Sequence, residues 1–131
     1  MADEGRNVLK AWGREVWLTN TDKYCAKQLY IQPDFVCSFH AHNVKDETFI
    51  CSEGQGWLEL GDEIYRLLPG HVYHVPVGTY HRFWSDGGTM VLLEISTHHN
   101  DLDVVRKIDS RPILSGIPLN CVERQPGPDE T

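Results

Sequence analysis

His40-Ala41-His42-Asn43-Val44-Lys45-Asp46-Glu47, followed after six residues by Gly54, is the stretch whose reading decides the fold. The apolar run Val36-Cys37-Ser38-Phe39 leads into it, and Thr48-Phe49-Ile50-Cys51 leads out. In a β-strand, residues i and i+2 face the same side. His40 and His42 therefore project together, and a return strand brings the Glu47 carboxylate back beside them. Two imidazoles and a carboxylate are competent ligands for a first-row divalent metal ion. Further on, Gly70-His71-Val72-Tyr73-His74-Val75-Pro76-Val77-Gly78-Thr79-Tyr80-His81 reads as a strand, a Pro/Gly turn and a histidine on the next strand. His81 is the candidate fourth ligand. This ligand set suits Mn, Fe, Co, Ni or Zn without choosing among them.

The composition sets limits. A chain of 131 residues suits one domain with a real core. The net charge of -7 comes with no basic patch, which argues against a nucleic-acid partner. Cys25, Cys37, Cys51 and Cys121 have no zinc-ribbon spacing, and three of them lie in apolar runs, so buried free thiols are expected. With no signal-peptide pattern and no long apolar run, the expectation is a cytoplasmic protein with no membrane partner and reduced thiols.

The remainder of the chain is read as short strands between turns. Residues 1–10 form a polar, loose N-terminus, and residues 116–131 form a Pro/Gly/acidic tail. Trp12 and Trp17 pack in the core or fill a homodimer interface. Residues 24–32 alternate, which puts Lys27 on the same face as Leu29 and Ile31. Further strands are expected at 57–60, 63–68, 72–75, 81–84 and 89–96, the last with Glu94 in its middle. Turn signals every 6–12 residues and little helical periodicity define an antiparallel sandwich or small barrel.

The two histidine motifs are similar to the two motifs of the cupin family. His40-x-His42, Glu47 and Gly54 fit the first; Gly70, Pro76-x-Gly78 and His81 fit the second. Where the second motif carries Asn after three further residues, this chain has Ser85. The resemblance implies an all-β jelly-roll barrel (a double-stranded β-helix) over residues 11–115. It also implies one divalent metal ion held by His40, His42, Glu47 and His81. Beyond the motifs the chain resembles cupin sugar isomerases, the type II mannose-6-phosphate isomerase domain and the D-lyxose isomerases. Trp12-Gly13, Lys27 before Pro33 and Pro76-Val77-Gly78-Thr79-Tyr80-His81-Arg82 match the former, with Asp34 in place of a glycine. His40, His42, Lys45 and Glu47 match the latter.

That likeness implies a metal-dependent aldose–ketose isomerase acting on a sugar or sugar phosphate through an enediol. Lys27, Glu94 and Lys45 are then the candidate proton-handling residues. The plainer accounts are a salt bridge of Glu94 with Lys27 or Arg82, and a solvated loop for Lys45. Tyr80 donates to a substrate hydroxyl or is a rim aromatic. Arg106 and Arg111 bind a phosphate or pair with Asp101, Asp103 or Asp109. His71, His74, His98 and His99 are expected at the surface or rim. A cupin dioxygenase and a non-catalytic sugar-binding cupin are the competing functions.

Overall fold

The computed structural model describes residues 5–113. Among these residues it is built of antiparallel strands in two facing sheets, with no helix. In chain order the strands are β1 (Arg6–Lys10), β2 (Gly13–Asn20), β3 (Cys25–Ile31), β4 (Phe35–Val36) and β5 (Phe39–Ala41). β6 (Glu47–Glu53), β7 (Gly56–Leu60), β8 (Glu63–Leu67) and β9 (Val72–Val75) follow. β10 (His81–Ser85), β11 (Met90–Ser96), β12 (Val105–Ile108) and β13 (Arg111–Pro112) complete the set. One sheet runs β1-β2-β3-β11-β6-β9, and the other runs β12-β5-β10-β4-β13 with β7 on β10 and β8 on β7. No helix among the described residues is long and apolar enough to cross a membrane.

Period-two patterning drives the assembly. On β3, Cys25, Lys27, Leu29 and Ile31 are buried while the residues between them are half-buried. The inward faces of both sheets meet in one cluster that includes Leu29, Phe49, Leu58, Phe83 and Leu92. Phe83 of β10 packs edge-on against Phe49 of β6 and against Trp12, at ring-centroid distances of 5.7 and 5.4 Å. A second cluster, with Val36, Trp57, Ile64 and Trp84, covers the opposite face of β10. Trp12 and Trp17 are both buried within this one chain. Cys25, Cys37 and Cys51 are buried free thiols. Burial pushes the Cys37 thiol up to about 12, so it packs as a small apolar group.

One segment departs from expectation. Arg6–Lys10, anticipated as part of a loose N-terminus, pairs along β2 from Arg6 opposite Trp17 to Lys10 opposite Gly13. Its side chains are largely exposed and so carry no apolar alternation. Backbone pairing to the neighbouring strand is what orders it. The segment read as a tail, and Cys121 with it, lies outside the described residues.

Two backbone positions explain motif residues. Gly54, which closes the first histidine motif, has φ 74° and lies so close to the Thr89 carbonyl that a Cβ would collide with it. Asp34, where the resemblance expects glycine, holds the same left-handed conformation at φ 72°. Aspartate is among the few side chains that visit this region readily. Gly54→Ala is expected to destabilise the protein by about 2 kcal/mol or more, read as a lower denaturation midpoint. Asp34→Gly, by contrast, is expected to stay within about 1 kcal/mol of the parent.

Candidate metal centre

The sheet pairing assembles the histidines. His40 on β5 and His81 on β10 are direct cross-strand partners. His42 lies one residue past β5, and Glu47 begins β6 in the facing sheet. The site therefore sits between the two sheets. Ring centroids are 4.4 Å apart for His40 and His81, 5.1 Å for His40 and His42, and 5.7 Å for His42 and His81. One ring nitrogen from each histidine falls within 4.8 Å of the others, a grouping able to hold a metal ion. Glu47 Oε2 lies 2.8 Å from His81 Nε2 and 3.4 Å from His42 Nε2.

Hydrogen bonds behind the rings decide which nitrogen faces inward. His40 Nδ1 donates to the Ser38 carbonyl at 2.7 Å, with the Ser38 hydroxyl at 3.0 Å. His42 Nδ1 donates to the Asp103 carbonyl at 2.6 Å, and His81 Nδ1 to the Thr79 carbonyl at 3.0 Å. A carbonyl only accepts, so in each neutral ring the proton is on Nδ1 and the Nε2 lone pair is free. Burial pushes His40 down to about 3, with the neighbouring His81 adding to the effect. Burial likewise lowers His42. The His40 and His42 rings are therefore neutral near pH 7, as metal ligation requires.

Two buried atoms supply the test of fit. His81 Nε2 and Glu47 Oε2 have no hydrogen-bond partner: with the ring proton on Nδ1, their 2.8 Å contact brings two acceptors together. A lone pair and a carboxylate oxygen left bare in a buried site are costly unless a cation sits between them. Three imidazoles with their outer nitrogens tied to carbonyls and one carboxylate suit a divalent transition metal. The residues present fit the group.

The centre opens on a cavity of about 150 Å³, well beyond the minimum of about 10–15 Å³ that one water needs. Lys27, Lys45 and Glu94 line it, together with His40, His42 and Glu47. Lys45 is buried and so is not a solvated loop residue. Its ammonium lies 3.1 Å from Glu94 and 3.4 Å from Glu47. Burial pushes Lys45 down, but Glu94 and Glu47 outweigh it and raise the ammonium above its ordinary range. Burial pushes Glu94 up, but Lys45 and then Lys27 outweigh it and hold the carboxyl at about 2. The direct partner of Glu94 is thus Lys45; Lys27 pairs with Glu15 at 3.7 Å, and Arg82 bonds Glu59 at 2.7 Å.

Two contributors were not singled out from the sequence. His98 and His99 separate in the structure: His98 is exposed, while His99 enters the cavity wall between Lys27 and Lys45. The Asp103 carboxylate accepts from the backbone N–H groups of Asn43, Val44 and Lys45. Its own carbonyl anchors His42. An acidic residue sixty positions downstream gives no local signal of this role. Of the remaining residues named from sequence, Arg106 lines the cavity. Tyr80 packs on Phe39 and Lys107 instead, and Arg111 sits on β13 against Val36.

A facing-sheet β-barrel with a histidine–carboxylate centre between its sheets is the architecture of one large family. The Cupin domain family matches residues 28–96, and this chain belongs to the cupin family. It is 31% identical to a D-lyxose ketol-isomerase of Cohnella laeviribosi, across 87% of this chain and 80% of that protein. It is 27% identical to a mannose-1-phosphate guanylyltransferase of Sinorhizobium fredii, across 78% of this chain; the chain spans only 20% of that relative's length. Among solved structures, KdgF from Halomonas sp. shares the fold at TM-score 0.63 and 20% identity, covering 67% of this chain and 80% of that one.

Two outcomes follow. His81→Ala is expected to remove one metal ligand and to lower metal affinity by about 10-fold or more, measured by titration with a competing chelator. The low Glu94 value bears on stability in acid. Its contribution is fully present above the ordinary value of 4.5 and is lost as pH falls toward about 2. In metal-free protein, denaturation midpoints should fall less steeply across that window for Glu94→Gln than for the parent.

Proposed function

We propose that the protein is a metal-dependent aldose–ketose isomerase acting on a small sugar or sugar phosphate. One observation carries the reading: Lys45, Glu94 and Lys27 line the same cavity as His40, His42 and Glu47. Isomerisation moves a proton between adjacent carbons and needs a cation and a proton-handling group within reach of one substrate. A histidine–carboxylate site alone serves many reactions. A buried lysine–glutamate pair beside it is the part that suits enolisation. The likeness to an enzyme named D-lyxose ketol-isomerase supports the same reading.

In this reading His40, His42, Glu47 and His81 hold one divalent ion. Bound there, it supplies Lewis acidity toward a carbonyl and a neighbouring hydroxyl. Glu94 is ionised near pH 7 and so is able to accept a proton. The Lys45 ammonium, between Glu47 and Glu94, donates to a substrate oxygen as negative charge develops on it. Lys27 stands opposite Glu94 on the adjoining strand and reaches the same space, completing a pair able to take and return a proton. Arg106, opposite His40 on β12, offers a cation at the mouth for an anionic substituent.

The test begins with metal content by mass spectrometry. The loaded protein is then incubated in D₂O with a panel of aldoses, ketoses and their 6-phosphates. Exchange at C1 or C2 of one sugar is the expected result. Glu94→Gln and Lys27→Met should lower that exchange by about 10²–10⁴-fold while keeping the metal. Full activity in both variants would remove the roles assigned here. Bound metal without exchange, accompanied by oxygen uptake in an iron-loaded sample, would replace the isomerase reading with a dioxygenase.

A further inference from the structure

Lys27 is sealed from solvent, with its side chain 1% exposed. A strand-pair neighbour covers it: the ammonium lies 4.2 Å from the centre of the Trp17 ring. Glu15 is an ion-pair partner at 3.7 Å, beyond hydrogen-bond distance. The close contact is with His99 Nδ1, at 2.9 Å. On the far side of that ring, His99 Nε2 lies 2.7 Å from Asp101 Oδ1. The Asp101 side chain is 79% exposed, against 16% for His99. Three groups in hydrogen-bond contact thus run from a sealed ammonium to open water.

The imidazole is held in this line by independent contacts. Its backbone N–H donates to Asn20 Oδ1 at 3.0 Å, and its carbonyl accepts from Asn20 Nδ2 at 3.3 Å. Trp17 packs edge-on against the ring at a centroid distance of 4.9 Å. The tautomer follows from its neighbours. Nδ1 faces ammonium groups, which only donate, and Nε2 faces a carboxylate, which accepts. Lys45 Nζ also approaches Nδ1, at 3.3 Å, but that ammonium is already bonded to Glu94.

We propose that His99 and Asp101 form a proton relay between the buried Lys27 and bulk water. In the outward direction the Lys27 Nζ–H bond breaks and an Nδ1–H bond forms on His99. The His99 Nε2–H bond breaks in turn, and its proton passes to Asp101 Oδ1 and then to solvent. Each electron pair stays on its own nitrogen or oxygen, and nothing is oxidised. Lys27 is left as a neutral amine, able to take a proton from one substrate carbon and return it to the next, after which the reverse shuttle reprotonates the amine and restores the ring. His99 and Asp101 act through Lys27 and do not touch the substrate. This use of the relay rests on the isomerase reading, whereas the relay itself operates in the resting protein.

The deciding measurement is made on the resting protein. Full-length, zinc-loaded protein with isotope-labelled lysine is observed by NMR, and the Lys27 Nζ signal is assigned by its loss in Lys27→Arg. Chemical exchange of that nitrogen between its ammonium and amine forms, read by nitrogen relaxation dispersion, is compared in the parent, His99→Gln and Asp101→Asn. Gln keeps an acceptor for Lys27 but cannot pass a proton through; Asn at the exposed position leaves the fold undisturbed. Exchange should slow by about tenfold or more in both variants, since it must then wait for local opening of the wall. Unchanged exchange in Asp101→Asn overturns the relay, whether or not any sugar is turned over. Slowed exchange in a protein that enolises no sugar upholds the relay and removes the isomerase reading.

Discussion

The site depends on three hydrogen bonds that point away from it. Each histidine spends its Nδ1 proton on a backbone carbonyl, of Ser38, Asp103 or Thr79. Those carbonyls belong to strand ends and turns of the barrel, so ring orientation is inherited from the backbone. The Nε2 lone pairs then converge whether or not an ion is bound. Preorganisation of this kind lowers the cost of assembling a charged centre in a buried place. It also accounts for the bare state of His81 Nε2 and Glu47 Oε2, which an ordinary core would not tolerate.

A second constraint is charge balance in the cavity. Lys27, Lys45, Glu47 and Glu94 are all buried, and an isolated charge in such surroundings costs several kcal/mol or more. They are tolerated because each is close to opposite charge: Lys45 bridges Glu47 and Glu94, and Lys27 has Glu15 and the face of Trp17. Well-packed apolar side chains would serve stability as well or better. A cluster of this composition against a metal-competent centre is therefore better explained by chemistry than by folding.

The barrel and the grouping of His40, His42 and His81 were both legible in the chain, for the same reason. Strand periodicity is local, and His40-x-His42, Glu47 and His81 occupy fixed positions relative to turn residues such as Gly54, Pro76 and Gly78. The period also put Lys27 on the inward face with Leu29 and Ile31. The order of β1 escaped detection, since an exposed edge strand has no apolar alternation and is held by backbone pairing alone.

What the sequence by itself determined is the all-β architecture, the direction of side chains on the alternating strands and the histidines available to a metal. Only the tertiary structure decided who meets whom. It paired Glu94 with Lys45 instead of Lys27 or Arg82, drew Lys45 out of an apparent loop into the interior and split His99 from His98. It also set the Asp103 carboxylate beneath the backbone of residues 43–45. These contacts join residues far apart in the chain, across sheets whose spacing and twist no short motif encodes. Periodicity tells which way a side chain points; the packing of one sheet on the other decides what it finds there.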